Sequence, residues 1–210
     1  MRTQALCKSS SFKKRLSLAV MVASGVLACS VAQAGGFSAY GGATVGLSPS
    51  AQACPTGADC ERVAAGAKMF AGWNMTPNVA AEINYFYFGA TASNSENPTA
   101  STVNKRVSAK ALALGFSWNI EMFETMASHL RAGVARVRNV SDIQTTTSGS
   151  PVSQVYSQDV KYTTSPYFGA GFSIPFGRHL RVVTGYDFIY VGGDGNRSRH
   201  LLSGGFQGEF

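Results

Sequence analysis

Three groups of residues in this 210-residue chain could carry chemistry. Cys54 and Cys60 enclose the short segment Pro55-Thr56-Gly57-Ala58-Asp59. Two thiols so placed in an exported chain are expected to close a small-loop disulfide. They lack the two-residue spacing of a redox motif, and two cysteines with no histidine nearby are too few ligands for a metal. The second group is His129, His179 and His200, because a histidine within reach of a serine can act as a general base. His200 is followed by Leu201 and Leu202, and the next hydroxyl along, Ser203, has the opposite parity. His129 and His179 fall near short turns and read as solvated rim residues. No Ser–His pair is singled out, and no residue pattern asks for a metal or a cofactor. The third group is Lys68, Glu82, Arg131, Arg181, Asp187 and Glu209. Each shares the parity of small and polar neighbours inside an otherwise apolar segment.

The segments that carry these residues alternate with period two, which is the mark of strands. Eight candidate strands run near 37–47, 63–74, 79–89, 105–118, 127–138, 161–174, 180–190 and 198–210. Most are long enough to cross a bilayer at a tilt, and none shows a helical period. The second, fourth and sixth connections are short: Met75-Thr76-Pro77-Asn78, the stretch around Ile120 to Met126, and Pro175 to His179. The first, third and fifth are long and polar; the third is Ala90 to Asn104 and the fifth Asn139 to Val160. The seventh, Gly192 to Asn196, is compact. Short turns at one rim and longer loops at the other are the pattern of a membrane barrel, and an even strand count puts both termini at the short-turn rim.

The two faces of these strands differ. Val79, Ala81, Ile83, Tyr85 and Tyr87 share one face, and Glu82 and Asn84 the other. Leu112, Leu114, Phe116 and Trp118 oppose Ala111, Ala113, Gly115 and Ser117. Phe168, Phe172 and Ile174 oppose Tyr167, Gly169 and Ser173, and Leu202, Phe206 and Phe210 oppose Ser203, Gln207 and Glu209. A soluble, lipocalin-like barrel would put the apolar face inside. A membrane barrel turns it outward to lipid and leaves small and polar groups in the lumen. The six charges then lie in the lumen, where each must pair or meet water, since unpaired buried charge costs several kcal/mol. Register and turn length pair Arg181 with Glu209, if Tyr190 lies opposite His200. They also put Lys68 diagonal to Glu82 across the second turn.

The front of the chain is of another kind. Arg2, Lys8, Lys13, Lys14 and Arg15 form a positive region before the apolar run Leu16 to Ala28, and Ala32-Gln33-Ala34 is a small-x-small cleavage site. Residues 1–34 therefore read as a signal peptide and 35–210 as the mature domain. A second reading takes Val26-Leu27-Ala28-Cys29 as a lipobox with lipid on Cys29; Leu27 fits it poorly. Once the leader is removed, 13 basic residues face 11 acidic ones. The sequence pI near 9.4 thus comes mostly from the leader, and nucleic-acid binding gains no support. No apolar run in the mature domain is long enough for a membrane helix.

The block Gly66-Ala67-Lys68-Met69-Phe70-Ala71-Gly72-Trp73-Asn74-Met75-Thr76-Pro77-Asn78, continued by Val79-Ala80-Ala81-Glu82-Ile83-Asn84-Tyr85-Phe86-Tyr87-Phe88-Gly89, resembles the second hairpin of the OmpA-like small outer-membrane barrels. Phe168-Gly169-Ala170-Gly171-Phe172 matches as well. Phe206 and the terminal Phe210 resemble the C-terminal assembly signal of outer-membrane barrels. The resemblance implies an all-β fold, an eight-stranded antiparallel up-and-down transmembrane β-barrel in the bacterial outer membrane. It implies outer-membrane lipid, lipopolysaccharide and the barrel-assembly machinery as partners, with an external ligand at the loops. The chain ends where the barrel ends, so the peptidoglycan binding of full-length members is not expected. The role it implies is envelope-structural or surface-interaction, through the external loops. A narrow pore and a lipid A-modifying enzyme are the alternatives. Eight strands leave an interior that side chains fill, which weighs against the pore.

Overall fold

The computed structural model describes residues 38–49, 59–60, 62–97, 101–123, 125–147, 153–191 and 198–210. The leader, Cys54 and the seventh connection lie outside these residues, and with Cys54 the expected disulfide. Every described element is a strand: β1 (Ala39–Pro49), β2 (Asp59–Cys60), β3 (Val63–Thr76), β4 (Val79–Asn97), β5 (Ser101–Phe123), β6 (Met126–Thr147), β7 (Ser153–Pro175), β8 (Leu180–Ile189) and β9 (Arg199–Glu209).

Eight of these form a closed antiparallel ring. β4, β3, β1, β9, β8, β7, β6 and β5 follow one another, and β5 pairs back onto β4. β2 adds only Asp59 and Cys60, opposite Asn94 and Ser93 of β4. Closure leaves no open edge where hydrocarbon could not satisfy the backbone. At one rim the turns are tight. Pro77-Asn78 joins β3 to β4, with the Val79 amide donating to Thr76 Oγ1 at 3.0 Å. Between β7 and β8 the chain passes Gly177 at φ 97°, where any Cβ would be strained.

The period-two faces fall as the strands require. Leu114, Phe116, Trp118, Phe168, Phe172, Leu202 and Phe206 point out and are exposed, whereas Ala113, Ser117, Ser173 and Leu201 point in and are buried. An outward apolar wall around an inward small and polar face is the arrangement of a barrel solvated by lipid.

Two expectations are corrected at the other rim. The described residues within 90–104 and 139–160 are paired strand, not open loop. β4 and β5 stay paired up to Asn97 opposite Ser101, and β6 and β7 up to Thr147 opposite Ser153. Their Ser, Thr and Asn content had the look of a loop. Above a membrane both faces of a hairpin meet water, so no apolar alternation is needed to keep β-branched, hydrogen-bonded strands. Nor does Gly89 end a strand. It sits at φ 76° in a bulge between Tyr87 and Ala90, and β4 runs on beyond it. With 19 to 23 residues each, β4 to β7 far exceed the 9–11 or so that cross a bilayer, and they stand as a wall on one side of the ring.

Candidate functional site

The lumen charges converge from distant strands. Lys68 Nζ on β3 contacts Asp187 Oδ1 and Oδ2 on β8 at 3.0 and 3.1 Å. Tyr167 on β7 donates to Asp187 Oδ1 at 2.7 Å. Arg131 on β6 reaches Glu82 Oε1 on β4 at 3.3 Å and Asp187 Oδ1 at 3.8 Å. Tyr40 on β1 donates to Glu82 Oε2 at 2.8 Å. Two cations and two carboxylates thus form one neutral cluster, nearly closed to solvent. Phe70 lies under both cations, with Lys68 Nζ 5.4 Å and Arg131 Cζ 5.9 Å from the ring centroid. The expected Lys68–Glu82 partnership is therefore corrected: Lys68 binds Asp187 and Glu82 binds Arg131. Side chains in a narrow barrel reach across the lumen, so the partner need not lie on the neighbouring strand.

Glycine makes room for the cluster. A Cβ on Gly169 would lie 2.5 Å from Asp187 Oδ1 and 3.1 Å from the Tyr167 hydroxyl. That carboxylate is held by Lys68 and Tyr167 and cannot move freely. Gly169→Ala is expected to lower unfolding free energy by about 1–3 kcal/mol, measured by urea titration in lipid with the heat-dependent gel shift as readout.

Apolar layers cover the cluster above and below. Toward the long hairpins lie Phe86, Phe88, Val137, Ile189 and Leu201. Phe86 stacks on Phe88 at 5.6 Å and tilts against Tyr167 at 5.3 Å. Toward the short turns lie Tyr40, Phe70, Ala80 and Val183. Below these runs a polar chain along the rim. His129 Nδ1 is 2.7 Å from Asn119 Oδ1, and Nε2 is 2.6 Å from Ser173 Oγ. Arg181 Nη1 donates to Ser173 Oγ at 3.2 Å, and Arg181 Nε is 2.8 Å from Glu209 Oε1. Arg181 and Glu209 meet although the assumed register is two residues off: His200 lies opposite Phe188, not Tyr190, and Arg181 opposite Gln207. His129 is a further correction. It is 5% exposed and points into the lumen, because it shares the parity of Arg131.

These features, an outward apolar wall, a closed ring of eight strands and a filled polar lumen, meet a direct comparison. The OmpA-like transmembrane domain matches residues 37–202. The chain belongs to the OmpA-like transmembrane domain family. No curated protein sequence matches it. Among solved structures, the outer membrane protein OprG of Pseudomonas aeruginosa is 9% identical, with a TM-score of 0.53 over 83% of this chain and 95% of that one. Ail, the attachment invasion locus protein of Yersinia pestis, is 10% identical, with a TM-score of 0.49 over 83% and 97%. Neisserial surface protein A is 14% identical, with a TM-score of 0.48 over 84% and 98%. The OmpA-like barrel is a bacterial outer-membrane protein; its tight turns face the periplasm and its long hairpins face outward.

One outward-facing group of the OmpA-like barrel escaped sequence reasoning. Ser198 Oγ is 3.1 Å from His200 Nε2, and the Tyr186 hydroxyl bonds Nδ1. The hydroxyl stands two residues before His200 at the same parity, not after it. Phe206 faces outward, opposite Val182 and Ala43, and Phe210 is the residue after β9.

Proposed function

We propose that this OmpA-like barrel is an anchor that presents its external hairpins to ligands, and that it neither conducts nor catalyses. One observation carries the reading. The charge cluster is covered by apolar layers on both sides, while β4 to β7 continue past the membrane as paired strands. A charged constriction between apolar layers offers no continuous path for a hydrated ion. A groove of about 550 Å³ lies between β5, β6 and β7, lined in part by Lys105, Arg106, Asp142, Tyr156 and Gln158. Tyr156 is 70% exposed, and such aromatic and arginine groups are what binding surfaces use.

The Ser198–His200 pair does not alter this reading. An acyl-transfer site needs free donors for the oxyanion, and among the described residues the amides of β8 and β9 around His200 belong to the ladder. Phe206 and Phe210 fit an assembly signal read by the barrel-assembly machinery.

The test is a binding screen on cells displaying the intact chain or a chain shortened within 92–103 and 143–157. Arrayed glycans and host matrix proteins serve as probes. At least one probe is expected to be retained by the intact chain and lost on trimming, with the heat-dependent gel shift unchanged. Equal binding by intact and trimmed chains across all probes refutes the hairpin role.

A further inference from the structure

Above the membrane the outward face of the wall carries a grid of planar polar groups. Register runs through the external parts of β5, β6 and β7 without a break, so the face that meets lipid lower down meets external water here. Asn104, Gln144 and Tyr156 stand opposite one another in one row, and Arg106, Asp142 and Gln158 in the next. All six border the groove of about 550 Å³. Lys105, Ile143 and Ser157 lie at the intervening positions and turn to the opposite face. With strands about 4.8 Å apart and a two-residue step of about 7 Å, the six span a platform of roughly 10 by 7 Å.

Hydrogen bonds within the rows fix four of these side chains. Gln144 Nε2 donates to the Tyr156 hydroxyl at 3.1 Å, and Gln158 Nε2 donates to Asp142 Oδ1 at 2.9 Å. Each bond uses one donor. The amide oxygens of Gln144 and Gln158 and the second carboxylate oxygen of Asp142 keep acceptor capacity. Arg106 is exposed and enters none of the ion pairs among the described residues. It offers a fork of donors, and the Asn104 amide offers both kinds of group. Arg106 stands opposite Asp142, so the platform carries no net charge. The next row toward the membrane, Ser108, Val140 and Val160, is uncharged and separates it from Lys110 and Arg138.

We propose that this platform binds an uncharged oligosaccharide from outside the cell. The inference rests on the reading that the external hairpins present a surface to ligands, and it names the class of ligand. Donors and acceptors are interleaved on the platform, which suits a ligand whose polar groups each donate and accept, as a hydroxyl does. A phosphate or sulfate only accepts, and would set its oxygens against Asp142 and two amide oxygens. A peptide strand is captured by backbone groups at a sheet edge, whereas these six side chains project from a sheet face. The exposed ring of Tyr156 supplies a flat apolar surface for the C–H face of a sugar. Gln144, Tyr156, Asp142 and Gln158 are held by their mutual bonds before a ligand arrives, which lowers the cost of ordering them on binding.

The test uses the purified full-length mature barrel in an amine-oxide detergent, because alkyl glycosides would compete for a sugar site. The probes are uncharged oligosaccharides of glucose, galactose, mannose and N-acetylglucosamine, and sulfated oligosaccharides of the same length. Saturation-transfer NMR is the readout. At least one uncharged probe should bind with a Kd of about 1 mM or below, and R106M, D142A and Y156A should each weaken it about 10-fold or more. K161Q, on the opposite face of β7, should bind as wild type. The heat-dependent gel shift verifies that each variant is folded. The platform is overturned if no uncharged probe binds at about 1 mM, or if R106M, D142A and Y156A all bind as wild type. Tighter binding of the sulfated probes overturns the uncharged class and leaves the hairpin reading standing.

Discussion

Asp187→Ala is expected to lower the unfolding free energy of the barrel by about 3–5 kcal/mol, the cost of leaving one partner of a buried ion pair behind. Three groups lose their acceptor at once: Lys68, held at 3.0 Å, Tyr167 at 2.7 Å, and Arg131 at 3.8 Å. The cluster then carries two cations against one carboxylate, with Lys68 only 2% exposed. A second variant separates charge from packing. Lys68→Met with Asp187→Leu removes one cation and one anion together and leaves Arg131 with Glu82, still neutral. Buried pairs and apolar groups of similar volume are close in stability, so the double variant should recover most of the loss. Urea unfolding of the refolded barrel in lipid vesicles reads both. A double variant no better than Asp187→Ala would mean that packing around Asp187, and not charge balance, holds this layer.

Leu114→Arg is expected to cost about 2–4 kcal/mol, the depth-dependent price of arginine facing lipid near the middle of a bilayer. Leu114 lies on β5 midway between Lys110 at the external edge and Trp118 at the periplasmic one, and it is 61% exposed. On a water-soluble protein an exposed strand residue tolerates such a change within about 0.5 kcal/mol. Ser157→Arg on the external wall, exposed but above the membrane, should show only that small effect. The same urea titration reads both variants. A Leu114→Arg barrel as stable as wild type would contradict the outward apolar wall as a lipid-facing surface.

The barrel was legible because its physics is local. Leu112, Leu114, Phe116 and Trp118 against Ala111, Ala113 and Ser117 state which face meets lipid without reference to any other strand. Strand parity likewise put Lys68, Glu82, Arg131 and Asp187 on the inner face. Their partners were not legible. Lys68 and Asp187 are 119 residues apart, and their meeting depends on ring closure and tilt, which no single hairpin encodes. The external hairpins were missed for another reason. Thr145-Thr146-Thr147 pairs as strand, but polarity on both faces erases the alternation by which strands are recognised. His129 reads as a rim residue from its nearness to a turn, but its parity with Arg131 buries it in the lumen. Phe86, Ile189 and Leu201, which share the polar lumen's parity, were the unused signal for its apolar layer.

Single-channel recording on the wild-type barrel, purified and inserted in planar bilayers in concentrated KCl, tests whether the lumen is sealed. Current indistinguishable from the protein-free bilayer is expected, with insertion verified by the heat-dependent gel shift of the same preparation. A stable unitary conductance from the wild-type chain would contradict it.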